Sequence, residues 1–557
     1  MYQPVPDKPD FPSIERRALA LWEETRAFDT LRARLASSEK RFSFIDGPIT
    51  SNNPMGVHHA WGRTYKDLYQ RYKAMTGHNQ RWQNGFDCQG LWVEVEVEKE
   101  LGFASKRDIE QFGIAEFVQR CKDRVLKFAR IITEQSIRLG QWMDWGDSYY
   151  TMSDENNFTI WQVIKTCQER GWLYRGHDVM PWCPRCGTGL SHMEIETEGY
   201  SEVTHTSLYV RFPLLDKPGE SLLVWTTTPW TLAANVAAAV HPDLTYARVR
   251  KGDEVVYLAE PLVKSVLGEG WDVIQHLRGE EMIDWRYRGP FDELPAEQGV
   301  EHRVIPWTDV SQEEGTGIVH IAPGCGEEDY LLGKEFGLPA IAPLDENGIY
   351  IDGFDWLTGK YVNDVAQLVA DNLRQKGVLF RAEKIRHRYP HCWRCSTELV
   401  FRLVDEWYIG MDQLREMMMD VTRQIRWIPE FGLERELDWL RNMHDWMISK
   451  KRYWGLALPI WYCEDCHKAN VIGSREELQQ RAVEGWAEFE GHSPHRPWID
   501  KVKIACDSCG KLIDRIPDVG NPWLDAGIVP FSTLHSRSDP DYWRQWFPGD
   551  FITESFP

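Results

Sequence analysis

The sequence lacks any unbroken apolar run near the roughly 18 residues a spanning helix needs, which argues against membrane residence. Its first thirty residues, MYQPVPDKPDFPSIERRALALWEETRAFDT, hold carboxylates and prolines where a signal peptide would be apolar. Secretion is therefore not expected, and a cytoplasmic location is. Positive charge is scarce: 64 Lys and Arg against 85 Asp and Glu leave a formal net charge of −21. That excludes a generalised polyanion-coating protein but leaves room for a local basic patch that meets RNA. Low-complexity tracts are missing, as are internal repeats beyond the cysteine pairs described below. At roughly 150 residues per domain, 557 residues suggest about three or four domains. The 27 Trp promise large aromatic cores.

Eight of the 12 cysteines fall in four CxxC pairs: Cys183/Cys186, Cys392/Cys395, Cys463/Cys466 and Cys506/Cys509. In a cytosolic chain, the location expected here, such pairs read as metal ligands rather than as a disulfide framework. Zn²⁺ in a structural role takes four thiolates in a closed tetrahedron, and each CxxC supplies two from one turn. Four pairs thus imply two structural Zn²⁺ ions. The last two pairs are separated by 39 residues, as in a small stapled excursion. The first two flank a long β-rich stretch, where one shared ion would pin the ends of an inserted domain. Pairing of the second with the third, or reduced pairs without metal, are the alternatives. Cys88, Cys121, Cys167 and Cys325 stand alone and read as small buried hydrophobes.

Along the chain, SIERRALALWEETRAF has helical periodicity and RFSFID the look of a short buried strand. The loop GPITSNNPMG follows, then a helix over VHHAWGRTYKDLYQRYKAM. A second strand candidate, HNQRWQN, ends at the turn GFDCQG before the helix LWVEVEVEKELGF. Strand, glycine-bearing loop, helix and strand make a βαβ unit, the seed of a parallel sheet. Residues 105 to about 172 read as helical. From Ser201 to near Arg381 the texture is short strands and turns (THTSLYVRFPL, SLLVWTTTPWTL, TYARVRK, GTGIVHIAP), and VDEWYIGMDQLREMMMDVTRQI reads as helical again. The order α/β, β-rich, α/β predicts an insertion into one parent domain.

A helix N-terminus after a strand offers free N–H groups and a positive dipole end to a phosphate. Gly47 and Pro48 open that loop, and His58 and His59 stand on the first helical turn, either as phosphate donors or as solvated caps. Asp87 ends the second strand at the carboxyl edge of the sheet, where ligands of such folds bind. It reads as a holder of a substrate ammonium or as an ordinary turn residue.

These residues resemble a known family. DGPITSNNPMGVHHAWGRTYKDLYQRYKAMTGH with GFDCQGLWVEVEVEKELGF is similar to the opening of class I aminoacyl-tRNA synthetases. So are VMPWCPRCGTGLSHMEIE, LLVWTTTPWTLAANVAAAVHP, EEGTGIVHIAPGCGEEDY, RYPHCWRCSTELVFR, ISKKRYWGLALPIW and PWLDAG. Within the family the likeness is to the isoleucyl branch. The resemblance implies an α/β fold: a Rossmann-type parallel-sheet catalytic domain interrupted by a β-rich, barrel-like editing domain, with zinc-stapled modules. It places the first catalytic half at 1–182, a zinc hairpin at 183–200 and the editing domain at 201–385. The return to the catalytic domain follows at 386–460, a second zinc module at 461–515 and the last catalytic segment at 516–557.

By the same resemblance, Gly47, Pro48, His58 and His59 cradle ATP, with Mg²⁺ accompanying it. The family's usual His-Ile-Gly-His reads Gly56-Val57-His58-His59 here, so only His59 aligns. Asp87 binds the amino group of isoleucine, although Gln89 and Trp92 replace the usual His and Pro. Trp523 lines the substrate pocket, in WLDAG rather than WFDSG, and Glu554 contacts the aminoacyl-adenylate. Thr226, Thr227, Thr228, Asn235, His320 and Asp329 match the editing pocket; read locally, the threonine run is also simply good strand sequence. Cys325 stands where the family often has His. The implied partners are tRNA(Ile), isoleucine and ATP, with no membrane, and a second chain or downstream segment to supply the absent Lys-Met-Ser-Lys-Ser loop. Weak or absent ATP–pyrophosphate exchange by this chain alone is expected. Other readings are a stand-alone deacylase of mischarged tRNA, a valyl-type synthetase fragment and a non-catalytic RNA-binding relative. The run Lys450-Lys451-Arg452-Tyr453-Trp454 is either a contact for the tRNA acceptor end or a solvated helix end with one buried aromatic.

Overall fold

The computed structural model describes residues 8–190, 194–195 and 199–552. The chain folds as two units: one joins the residues up to Arg175 to those from Trp407 on, and the other is Gly176–Glu406. In the first unit, helix α1 (Phe11–Glu24) starts at Asp10, whose carboxylate accepts from Ser13 N at 3.2 Å. Strands β1 (Ile49–Thr50), β2 (Gln83–Asp87) and β3 (Asp144–Tyr150) form a parallel sheet in that order. Parallel neighbours need crossover connections. These are helix α2 (Val57–Met75) between β1 and β2, then α3 (Leu91–Leu101) and α4 (Ile114–Arg138) between β2 and β3.

Packing explains the local sequence. The α4 residues Phe117, Val118, Cys121, Val125, Phe128, Ala129 and Ile132 recur every three or four positions, and all are buried. Most of them pack with Phe86, Val93, Val97 and Trp454. Gly85 admits no side chain, because a Cβ there would lie 2.1 Å from the Tyr149 ring. Helix α5 (Asp154–Glu169) sends Trp161 into a second core with Leu456, Leu458, Ile460 and Trp461 from the returning chain.

The second unit is built on a mixed sheet of nine strands: β4 (Tyr200–Pro213), β5 (Glu220–Thr226), β6 (Ala237–Val240), β7 (Thr245–Lys251), β8 (Glu254–Ala259), β9 (Asp272–Arg278), β10 (Arg303–Pro306), β11 (Val319–Ile321) and β12 (Leu379–Pro390). Their order is β9-β7-β8-β5-β11-β6-β10. The sheet branches at β5, which also pairs with β4, and β4 with β12. Leu208, Val210, Phe212, Leu222, Val224, Val249, Val256 and Leu258 form its apolar core.

Several sequence expectations need correction. RFSFID makes single bridges, Arg41 with Asn79 and Phe44 with Phe551, instead of a strand. One reason is that Gly85 N–H donates to the Asp46 carboxylate at 3.0 Å rather than to a strand carbonyl. HNQRWQN is not a strand up to Trp82, whose φ of 58° breaks the extended run; β2 begins at Gln83. The stretch 105–172 is not continuously helical, because α4 stops before Gly140 (φ 84°) and DWGDSYY forms β3. VDEWYI belongs to a strand, Val400–Ile409, with the helix starting only at Asp412. The β-rich texture does not stop at Arg381, since β12 pairs with β4 through to Pro390.

Candidate active site and metal centres

The loop after Phe44 is tied down by Asp46. Its buried carboxylate accepts from Lys66 Nζ at 2.6 Å and from Gly85 N–H at 3.0 Å, and its carbonyl accepts from the Tyr149 hydroxyl. Lys66 also donates to the Gly47 carbonyl at 3.1 Å, which fixes the turn at Gly47-Pro48. Helix α2 opens at Gly56, whose N–H donates to His59 Nδ1 at 3.1 Å. Burial, then the neighbouring His58, Arg63 and Lys66, hold the His59 pKa below its ordinary value. A neutral ring accepting at Nδ1 carries its hydrogen on Nε2, so His59 is a donor at its outer edge. The His58 ring lies 3.9 Å from it, centroid to centroid. Along the outer face of α2, Val57, Trp61, Tyr65, Leu68, Tyr72 and Met75 are exposed.

Asp87 closes β2. Thr50 Oγ1 donates to its Oδ2 at 3.1 Å and Thr151 Oγ1 to its Oδ1 at 3.3 Å, while Ser51 N–H donates to its carbonyl at 2.9 Å. Burial drives its pKa up to about 6, against the pull of the two hydroxyls and the Gln89 and Cys88 N–H groups. The turn to α3 passes through Gly90 at φ 107°, where a Cβ would also meet Pro522 at 2.5 Å. The short helix Pro522–Gly527 brings Asp525 beneath this turn, and Gln89 Nε2 donates to Asp525 Oδ1 at 2.8 Å. Asp525 is buried, and burial together with the Asp87 charge raises its pKa well above the carboxylate range. An acidic pocket with two coupled carboxylates and two threonine hydroxyls suits an ammonium group. Trp523 is 71% exposed and Trp92 47%, so neither is enclosed in this structure. Glu554 lies outside the described residues.

One constellation escaped the sequence reading. The solvated-helix-end reading of Lys450–Trp454 fails, because Arg452, Tyr453 and Trp454 are all buried after a short strand, Ser449–Lys450, while Lys450 and Lys451 are half-buried. The Arg452 guanidinium pairs with both Glu94 and Glu98 of α3, and Glu94 Oε1 accepts from Tyr453 N at 2.9 Å and Trp454 N at 2.5 Å. Trp454 Nε1 donates to the Cys88 carbonyl at 2.7 Å. The signal was available: carboxylates four apart in VEVEVE share one helix face and ask for a cation.

In the second unit, β5 ends at Thr226. Thr228 N–H donates to Thr226 Oγ1 at 3.1 Å, and the Thr228 hydroxyl lies 3.4 Å from those of Thr226 and Thr231. Thr231 Oγ1 is 2.8 Å from His320 Nε2, and burial lowers the His320 pKa to about 4. Thr227 is half-buried. Asn235 is fully committed to the scaffold: Nδ2 donates to the Ala237 carbonyl at 2.9 Å and Oδ1 accepts from the Tyr287 hydroxyl at 2.8 Å. Asp329, on the first turn of helix α6 (Glu327–Phe336), accepts from Ala322 N at 2.8 Å, and burial raises its pKa to about 6. Cys325 is buried close by.

The four CxxC pairs form two clusters, Cys183/Cys186/Cys392/Cys395 and Cys463/Cys466/Cys506/Cys509, each with all four Sγ atoms within 4.8 Å of one another. Sγ–Sγ separations of 3.5 and 3.6 Å in the first and 3.5–3.9 Å in the second are too long for disulfides. They match the edge of a tetrahedron whose centre is about 2.3 Å from each sulfur, which is about 3.8 Å. Both clusters could hold a metal ion with no position left open. Among the described residues no helix is long and apolar enough to cross a membrane.

A parallel sheet with an acidic pocket at the end of β2, interrupted in sequence by a β-rich unit, belongs to a class met elsewhere. Residues 17–556 match the family model of tRNA synthetases class I (I, L, M and V), and the chain belongs to that family. It is 42% identical over 545 residues to the isoleucine–tRNA ligase of Methanothermobacter marburgensis, covering 97% of this chain and 51% of that protein. Identity to the isoleucine–tRNA ligase of Thermus thermophilus is 40% over 555 residues, 98% of this chain and 52% of that one. To the Streptomyces avermitilis isoleucine–tRNA ligase it is 38% over 571 residues, 100% and 53%. The chain spans about half the length of the curated relatives it matches.

Proposed function

We propose that this chain is the N-terminal part of an isoleucine–tRNA ligase, joining the adenylate-forming site to a hydrolytic editing domain. The observation that carries the reading is the pocket of Asp87, Thr50, Thr151 and Asp525, an anionic, hydroxyl-lined site for an amino-acid ammonium. Likeness to isoleucine–tRNA ligases at 38–42% identity supports isoleucine as the amino acid. On this reading the first unit is the Rossmann-type catalytic domain and the second the barrel-like editing domain. The cysteine clusters hold two structural Zn²⁺ ions, and the protein works in the cytoplasm. The exposed apolar face of α2 supports a further polypeptide that covers it and supplies the mobile ATP loop.

The chemistry asks for positioning rather than a protein nucleophile. An isoleucine carboxylate oxygen attacks the α-phosphorus of ATP; the new P–O bond forms as the bond to pyrophosphate breaks, and pyrophosphate leaves with the electron pair. Asp87 holds the ammonium. The free N–H groups at the start of α2 and the His59 Nε2–H donate to phosphate oxygens, and Gly47-Pro48 shapes the cradle. Mg²⁺ travels with ATP, Trp523 is the candidate lining of the amino-acid pocket, and Glu554, outside the described residues, is the candidate adenylate contact. A tRNA(Ile) hydroxyl oxygen then attacks the isoleucyl carbonyl carbon; the ester forms as the mixed-anhydride C–O bond breaks, AMP leaves with the electron pair, and the hydroxyl proton passes to the departing phosphate or to water.

Editing answers a limit of binding: one methylene is worth about 1–3 kcal/mol, a figure established on this class of enzyme. In the second unit, the hydroxyls of Thr226, Thr227 and Thr228 position water and the terminal ribose, and Asp329 holds the valyl ammonium. His320 bounds the side-chain pocket, and Asn235 shapes its wall through Tyr287. The test is hydrolysis of valyl-tRNA(Ile) by the 557-residue chain. Turnover above the spontaneous rate, lost in Asp329→Ala, is expected; the spontaneous rate alone would refute the editing reading.

A further inference from the structure

Gln89 takes its orientation from a residue far away in sequence. His495 lies in the 39 residues between Cys466 and Cys506, is fully buried, and stacks on Trp454 at 4.9 Å with an interplanar angle of 18°. Its Nε2 is 2.7 Å from Gln89 Oε1, and its Nδ1 is 2.7 Å from Ser493 Oγ. Hydrogens in this chain can be assigned. The Thr151 carbonyl only accepts, so the Gln89 nitrogen faces it and the Gln89 oxygen faces His495 Nε2, which must donate; Ser493 Oγ, accepting from Lys122 Nζ at 2.9 Å, then donates to Nδ1. Burial, then the Lys122 charge, keep the ring neutral, so its one hydrogen sits on Nε2 and donates to Gln89 Oε1.

With its oxygen engaged there, the Gln89 amide nitrogen must face the other way. It meets three acceptors: Asp525 Oδ1 at 2.8 Å, the Thr151 carbonyl at 3.1 Å and Asn157 Oδ1 at 3.2 Å. The reversed amide would set its oxygen against the Thr151 carbonyl, which cannot donate, and the hydroxyl of the same residue is a donor to Asp87.

We propose that His495 is a positioning residue for the amino-acid pocket: it locks the Gln89 amide in the orientation that holds Asp525 and Thr151 around the ammonium site at Asp87. The cysteine-bounded excursion thereby contributes to isoleucine binding without touching the ligand. The proposal rests on the reading of the Asp87 pocket as the amino-acid site.

The experiment is calorimetric titration of isoleucine into the 557-residue protein as wild type, His495→Phe and His495→Gln. Phenylalanine keeps the stack on Trp454 and loses the hydrogen bond; glutamine places an amide N–H near the Nε2 position. Loss of one partner of a buried polar pair predicts about tenfold weaker isoleucine binding in His495→Phe. Binding within about threefold of wild type is expected in His495→Gln. Unchanged affinity in His495→Phe, or equal loss in both variants, overturns the proposal while leaving the pocket's assignment intact. No isoleucine binding by the wild type overturns that assignment, and the proposal with it. If His495→Phe loses its cooperative unfolding transition, Ser493→Ala replaces it. That variant frees the ring hydrogen to leave Nε2 and weakens isoleucine binding, and unchanged affinity there also overturns the proposal.

Discussion

Replacing Arg452 by Met removes the cation between two carboxylates. Arg452 is 2% exposed at its side chain, and Glu94 and Glu98 are 0% exposed. Removing one partner of a buried, hydrogen-bonded ion pair costs about 3–5 kcal/mol. Glu94 keeps the N–H groups of Tyr453 and Trp454, which places Arg452→Met near the lower end, about 3 kcal/mol at pH 8. Burial already holds the Glu94 pKa above its usual value, and Arg452 is the main pull downward. Without that pull it rises further, each unit being worth about 1.36 kcal/mol. A carboxyl with a raised folded pKa contributes stability that is full below its unfolded pKa, roughly 4.3, and is lost as pH rises through the folded one. The deficit of Arg452→Met should therefore be smaller at pH 5 than at pH 8. Urea unfolding followed by tryptophan fluorescence at both pH values measures it. The same substitution in a Glu94→Gln, Glu98→Gln background should cost less than half as much. A loss under about 1 kcal/mol at pH 8, or an equal loss at both pH values, would refute the reasoning.

Two further outcomes concern the sites. Isoleucine binding should rise with pH through about 6, where Asp87 ionises, and fall roughly tenfold per unit well below that value. Asp87→Asn should remove both the affinity and the pH dependence in calorimetry, so a wild-type affinity flat from pH 5 to 8 would contradict Asp87 as the ammonium holder. Elemental analysis should find two zinc per chain, falling to one in Cys463→Ser with Cys466→Ser; well below two in the wild type would defeat the tetrathiolate reading.

Helix α2 was legible because its start is marked by a glycine loop and its periodicity runs unbroken to Met75. The cysteine clusters were legible because two CxxC turns carry their own geometry. Trp82 shows why strand limits were harder to read: a β-favouring residue stands at φ 58°, a choice set by tertiary packing. VDEWYI failed for a related reason, since its buried strand directly precedes an amphipathic helix and the two periods blur. At the pocket, Asp87 could be singled out from its place at the end of the second strand. Asp525 and His495 could not, because they stand 436 and 406 residues from their partner Gln89 and become its neighbours only through the fold.

The account turns on an amino-acid and nucleotide site built around Asp87 and His59 and separate from the editing pocket. Titration with a sulfamoyl analogue of isoleucyl-adenylate tests it most directly. One site per chain is predicted, abolished by Asp87→Asn and unchanged by Asp329→Ala. No binding, or binding indifferent to Asp87→Asn, would contradict it.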